Sequence, residues 1–306
     1  MLARLQEWLS DPPPSLIFEI SEAGVSLGRV GPRARLPETL FFSALAEGAV
    51  EPTPIRENVR NQEELARAVA ETLKQAGAIR KKDAALLLPD NCARLTVLDF
   101  ENLPGDARER GSLIRWRLKK AVPFDVDTAR LSYQVQRGEG AGAQAISVLV
   151  AVSPAEVIAQ YEAALSGVGL IPGYVSISVA AALNLVVEHG VTLLVKLNGR
   201  VLSLVVIDQG RARLVRTLEA GGSTAALTED RLREMAADLY PTFVYVTDNF
   251  GAPVSHLALA GFGDAFPLAV EVFRRELGYG AEALHGPRGP VDAYSGGLWG
   301  FLSGYH

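Results

Sequence analysis

Apolar positions recur along this chain with two different periods, and the places where the period changes divide it into elements. Residues 16–20 and 25–30 are short apolar runs separated by the polar Ser21 to Gly24, which predicts a hairpin. A less regular stretch with Pro32, Pro37, Pro52 and Pro54 follows. Residues 62–75 then switch to the helical period, with Leu65, Val69, Leu73 and Ala76 on one face. Asn61 is placed to cap that helix, Glu64 sits in the capping-box position, and Gly77 ends it. Residues 84–88 form an apolar strand stopped by Pro89-Asp90, and 94–100 alternate as a strand. A helix over 108–121 runs up to Pro123, and strands over 131–136 and 145–152 are joined by the glycine-rich 138–142. Ser153-Pro154 opens a helix with Glu156 in the capping-box position and a core face of Val157, Tyr161, Ala164, Leu165 and Val168. Strand, helix, strand, strand and helix from 94 to 168 describe a compact α+β unit. A small helix over 178–187 precedes strands at 192–197, 201–207 and 213–218, with a turn at Asp208-Gln209-Gly210. A helix over 228–240, a buried strand over 256–260, a glycine turn at Gly261 and Gly263, a helix over 266–277 and a last helix near 294–302 complete the chain. Two hairpins, each followed by helix, predict two related halves.

Length and composition agree with that division. The 306 residues exceed what one small core organises, and 48% apolar with 21% charged residues describes a globular chain. A formal charge of −5 argues against nucleic acid as a partner. Cys92 is the single cysteine, which excludes an internal disulfide and a cysteine-based zinc site. The opening segment has an apolar stripe at Leu2, Leu5, Trp8 and Leu9, interrupted by Arg4 and Glu7 and stopped by Pro12 to Pro14. It is expected to pack on its own domain rather than to act as a signal peptide or membrane anchor. The most apolar long stretch, 191–207, is broken by Lys196, Asn198, Gly199 and Arg200, so a soluble chain is expected.

Common catalytic templates are missing. There is neither a phosphate-cradling G-x-x-x-x-G-K-[ST] loop nor a G-x-S-x-G elbow. His189, His256, His285 and His306 are too scattered for a paired metal site, and nothing in the pattern brings a base to Cys92. Neither a catalytic residue nor a metal ligand is predicted. The strongest local charge feature is Arg115-Trp116-Arg117-Leu118-Lys119-Lys120, read first as the solvated face of a helix and second as a surface for an anionic partner.

Taken in order, these segments resemble the PilM proteins of type IV pilus assembly, which have the actin-like ATPase fold. The resemblance is carried by Leu86 to Asp90, Leu103-Pro104, Ile114-Arg115-Trp116, Ala121 to Phe124 and the strand from Leu131 to Val135. It continues through Ile207 to Gly210, Arg216, Gly221-Gly222, Leu259 to Gly263, Ala293-Tyr294 and Gly297-Leu298. It implies an α/β fold of two related halves with an α+β insert in the first. The corresponding domains are 1–91 for the first part of domain I, 92–172 for the insert, 173–190 for the continuation of domain I, 191–287 for domain II and 288–306 for a C-terminal helix returning to domain I.

The family binds ATP through glycine-rich turns, and here each departs from the family pattern. The first, usually Asp-x-Gly, is Glu19-Ile20-Ser21-Glu22, where a Cβ and a second acid meet the expected triphosphate. The second becomes Lys196-Leu197-Asn198, with a base in place of the acid that would hold the magnesium shell. Gly221-Gly222 follow, and the third turn is Gly261-Phe262-Gly263, whose phenylalanine either stacks on a base or fills the pocket itself. A pseudo-ATPase is therefore expected, with ATP and magnesium left open as ligands. The resemblance further implies a cytoplasmic scaffold on an inner-membrane platform of a type IV pilus or related type II secretion system. Its partner would be the cytoplasmic tail of a PilN-type membrane protein, with other platform proteins and self-association as further contacts. Arg115, Arg117, Lys120, Phe124 and Tyr133 are the candidate partner-binding residues, although core is the default for both aromatics. A nucleotide-switched PilM-type protein and a relative of actin-like cell-division proteins are the alternatives.

Overall fold

The computed structural model describes residues 14–30, 39–77, 81–136, 146–187, 190–220 and 227–304. The N-terminal stripe, the 138–142 turn, Gly221, Gly222, His189 and His306 lie outside them.

The first half begins with an antiparallel meander of β1 (Leu16–Ile20), β2 (Gly24–Arg29) and β3 (Leu40–Ala44). Helix α1 (Gln62–Gln75) leads to β4 (Asp83–Leu88), which lies parallel to β1. The insert follows as β5 (Arg94–Phe100), α2 (Ala107–Leu118), β6 (Arg130–Gln136) and β7 (Ile146–Ser153), with strand order β5-β7-β6. Helix α3 (Ala155–Gly167) and β8 (Ile171–Ile177) return to the first sheet, and the short α4 (Ser178–Ala182) leaves it. The second half repeats the plan with β9 (Thr192–Asn198), β10 (Val201–Asp208), β11 (Arg211–Glu219), α5 (Glu229–Phe250), β12 (His256–Ala260), α6 (Phe266–Leu277) and β13 (Ala281–Ala283). Helix α7 (Gly296–Ser303) closes the described chain.

The two large sheets have the same topology: β3-β2-β1-β4-β8 and β11-β10-β9-β12-β13, each an antiparallel meander extended beyond its first strand by two parallel strands in succession. This makes β1 the counterpart of β9 and β2 that of β10. The registers agree as well, because Glu19 pairs with Ser26 and Lys196 pairs with Ser203. Glu19 and Lys196 are thus equivalent positions with opposite charge.

Asn61 caps α1 as the pattern predicts, its side chain accepting from the Glu64 N–H at 3.0 Å. The reciprocal half of the box is not made, since Glu64 accepts instead from the Ala46 N–H and from Arg67. At α3 the Ser153 hydroxyl donates to the Cys92 carbonyl at 2.7 Å, so that helix opens at Pro154 without a side-chain cap. Strands β3, β8 and β13 are absent from the pattern-based reading. All three lie at sheet edges, where half-exposed positions alternate weakly and residues such as Pro172 and Gly173 are tolerated. Helix α5 passes through Pro241 for ten residues beyond the predicted end, held by burial of Thr242, Phe243 and Val246. The predicted helix over 178–187 shortens to α4 followed by a 3-10 turn.

The insert has its own core of Phe100, Ile114, Leu118, Val126, Val148, Val150 and Val152. Helix α3 does not share it: Val157, Tyr161, Ala164 and Leu165 are buried in the first half's core, inside the 92–172 span assigned to the insert. Helix α7 puts Leu298, Phe301 and Leu302 into that same first core.

Candidate functional site

Between the halves the chain buries three polar side chains, Ser178, Lys196 and Ser203, around two carboxylates. Glu19 is at the end of β1, and its carboxylate accepts from the Leu298 N–H at 2.8 Å, from the Gly297 N–H at 3.3 Å and from the Ser178 hydroxyl. Asp90 follows β4 in a 3-10 turn. One of its oxygens accepts from the Val179 N–H at 2.7 Å; the other takes the Lys196 ammonium at 3.1 Å and the Ser203 hydroxyl at 3.0 Å. Lys196 is 3% exposed and Asp90 2%. Burial pushes the Glu19 carboxyl above its ordinary 4.5, against the opposing pull of Lys196 and of its hydrogen-bond donors.

A second tie lies at the mouth of the cleft. The β1–β2 turn presents Glu22 to the β9–β10 turn, where it accepts from the Arg200 N–H at 2.8 Å and pairs with the Arg200 guanidinium at 3.4 Å. Gly199 makes this approach feasible: its φ is +63°, and a Cβ there would lie 2.4 Å from a Glu22 oxygen. Partial burial lifts the Glu22 carboxyl, while Arg200 works in the opposite direction.

On the other side of the first half, the insert stands off and leaves an open groove of about 960 Å³. Two edge strands border it, β6 from the insert and β8 from the first sheet. Its floor comes from α4, the turn after it and the end of α7, through Ala180, Ala181, Leu183, Asn184, Phe301 and Gly304. Glu156 and Glu162 approach it from α3. The sheet register sorts the side chains of β6. Tyr133 pairs with Val150, which belongs to the insert's core, whereas Ser132 and Gln134 pair with Ala151 and Leu149 on the groove side.

No protein-family model matches the chain, and no curated sequence matches it significantly. Solved structures do. The chain superposes on a PilM-PilN type IV pilus biogenesis complex with a TM-score of 0.76 at 20% identity, covering 96% of this chain and 99% of that one. The chain has the actin-like ATPase fold. The ethanolamine utilization protein EutJ from Carboxydothermus hydrogenoformans matches at a TM-score of 0.50 and 13% identity, over 96% and 90% of the two chains. The cytoplasmic domain of EpsL, an inner-membrane component of the Vibrio cholerae type II secretion system, gives 0.49 and 13% over 80% of each.

In this actin-like frame the predicted nucleotide-binding residues have other occupations. Ser21 closes the β1–β2 turn, its hydroxyl lying 3.3 Å from both the N–H and the carbonyl of Gly24. Asn198 is buried at the end of β9, with its side-chain oxygen unpaired. Gly261 has φ +86°, and a Cβ there would fall 1.9 Å from the Leu197 carbonyl oxygen, so close strand packing demands glycine. Phe262 turns into the second core, edge-on to Phe273 at 5.9 Å, which favours the filling alternative over stacking on a base. A triphosphate fits poorly beside these residues, since it would face the carboxylates of Glu19 and Asp90, which already hold the surrounding amides, hydroxyls and ammonium. Among the described residues no cluster of three or more acidic, histidine or cysteine side chains could hold a metal ion.

The basic helix is built into the insert rather than into the groove wall. Arg115 donates to the carbonyls of Val126 and Ala129, Arg117 lies 5.5 Å over the Phe100 ring, and Lys120 is exposed. Phe124 borders a separate hollow of about 300 Å³ with Ile55, Pro154 and Gln160. Tyr133 borders the large groove, but its hydroxyl donates to the Ala107 carbonyl at 3.3 Å on the α2 side. Sequence reasoning missed Asp90, Ser178 and Ser203. The charge inversion at Lys196 was the available signal, because a buried lysine demands an acid nearby. No helix among the described residues is long and apolar enough to cross a membrane.

Proposed function

We propose that this chain is an actin-like scaffold of a type IV pilus, or related type II secretion, assembly platform at the inner membrane. It holds the cytoplasmic tail of a PilN-type membrane protein and does not hydrolyse ATP. The observation that carries this reading is the open groove between β6 and β8 in a chain that follows a PilM-PilN complex over nearly its whole length. Two strand edges with outward backbone groups suit an extended peptide, which gains main-chain hydrogen bonds from an edge and specificity from side-chain pockets. The polar network in the cleft supports the pseudo-ATPase part, because phosphate would have to displace a buried ion pair.

Passing detergent-solubilised membranes of the producing organism over the immobilised chain tests the tail assignment. Recovery of a single-pass membrane protein with a short cytoplasmic tail is expected. Ser132→Trp, which fills the groove from an exposed position, is expected to weaken that capture by about tenfold or more, a loss of about 1.4 kcal/mol. Capture that is indifferent to this substitution removes the groove from the proposal.

A further inference from the structure

The two helices that floor the groove both begin on the buried carboxylates of the cleft. At the start of α4, the Val179 N–H donates to Asp90 and the Ser178 hydroxyl donates to Glu19. At the start of α7, the Gly297 and Leu298 N–H groups donate to Glu19. The far end of α7 and the turn after α4 line the groove through Phe301, Gly304, Leu183 and Asn184. Between these ends the helices cross in near-backbone contact. A Cβ on Gly300 would lie 2.1 Å from the Ala181 carbonyl oxygen, and Asn184 donates its side-chain N–H to the Gly300 carbonyl at 3.1 Å. Such a contact transmits displacement, because packed backbone cannot absorb it by side-chain rotation.

The second half enters this arrangement through Lys196 and Ser203, both on Asp90. We propose that the Lys196–Asp90–Glu19 network is a positioning device by which the second half sets the floor of the partner groove, doing from within the chain what a ligand between the halves would otherwise do. Lys196 is then a positioning residue that never touches the partner. That the groove binds a peptide is taken from the function proposed above, but the coupling itself can be read on the chain alone.

The test is amide hydrogen exchange on the full chain without any peptide. Lys196→Met keeps the stem and removes the charge; Leu232→Ala, in the second core, provides a comparison of comparable overall destabilisation with no link to Asp90. Exchange at residues 179–184 and 298–303 is expected to rise about tenfold in Lys196→Met over that comparison. The double variant Asp90→Asn with Lys196→Met, which removes both charges, is expected to recover most of the protection. Ser203→Ala, which leaves no charge unpaired, should show the same regional pattern more weakly. It serves if Lys196→Met does not fold. Exchange that rises only in β9 and β10, or that matches Leu232→Ala throughout, overturns the coupling. Failure to capture a membrane protein would leave this result standing, so the two proposals fail separately.

Discussion

Glu19 concentrates the chemistry of the cleft in one side chain. It is fully buried, and its carboxyl is raised by that burial more than Lys196, Ser178 and the Leu298 amide lower it. A carboxyl with a raised folded pKa binds its proton more tightly in the native state than in the unfolded chain. Its contribution is therefore fully present below the ordinary value of 4.5 and is lost as pH rises from there through the folded value. Glu19→Gln removes this titration while keeping an acceptor for the Leu298 amide. In urea titrations between pH 4 and 8, the wild-type midpoint is expected to fall relative to that of Glu19→Gln as pH rises. Parallel profiles would mean that Glu19 does not titrate in this window. Glu22, raised in the same direction, is present in both proteins and cancels. Of the residues named from sequence at this scale, Glu19 and Lys196 are brought into one cleft, and Asp90, which pairs with Lys196 there, was not among them. Lys196 and Glu19 stood out by residue type, while Asp90 lies 106 positions from Lys196 and is joined to it by folding alone.

Among the elements, α7 depends most on residue size. Gly297, Gly300 and Gly304 each face α4 or the turn after it at distances too short for a side chain, whereas at Gly296 the nearest atom to an added Cβ is 3.7 Å away. Gly300→Ala is expected to destabilise the protein by about 1–3 kcal/mol through forced separation of the helices. Gly296→Ala, with room for its methyl, is expected to be neutral or to stabilise by up to about 1 kcal/mol through the unfolded chain. Denaturant midpoints of the two variants check this, and equal effects would contradict the close crossing. Pattern reading located the interior strands β1, β4, β9 and β12 because most of their positions are apolar and nearly all are buried. It passed over β3, β8 and β13, whose positions at sheet edges leave them half exposed. Because β8 is one wall of the groove, the missed strand is also one half of the proposed binding surface.

In the whole molecule, two halves of one topology are joined by the Lys196–Asp90 pair, the Glu22–Arg200 pair and a bridge from the insert. In that bridge Gln136 at the end of β6 exchanges hydrogen bonds of 3.0 and 2.7 Å with the backbone of Ala212 in β11. On the function proposed above, a cleft already tied at three places gains little from a nucleotide. A ligand at a hundredfold excess over its Kd adds about 2.7 kcal/mol and raises the unfolding temperature of a chain this size by several degrees. Millimolar ATP with magnesium is expected to leave the thermal transition unmoved; a shift of several degrees with turnover would restore the nucleotide-switched alternative. The amino-acid sequence by itself determined the two hairpins, the helix faces, the order of the elements and the residue types at the strand ends, Glu19 and Ser21 in the first half and Lys196 and Asn198 in the second. Those features reside in local periodicity and residue type. Tertiary structure alone decided that the inverted charge at Lys196 meets Asp90, that Phe262 fills a core, and that the basic helix stays out of the groove. Each of these depends on which surfaces two independently patterned halves turn toward each other, and no local period encodes that choice.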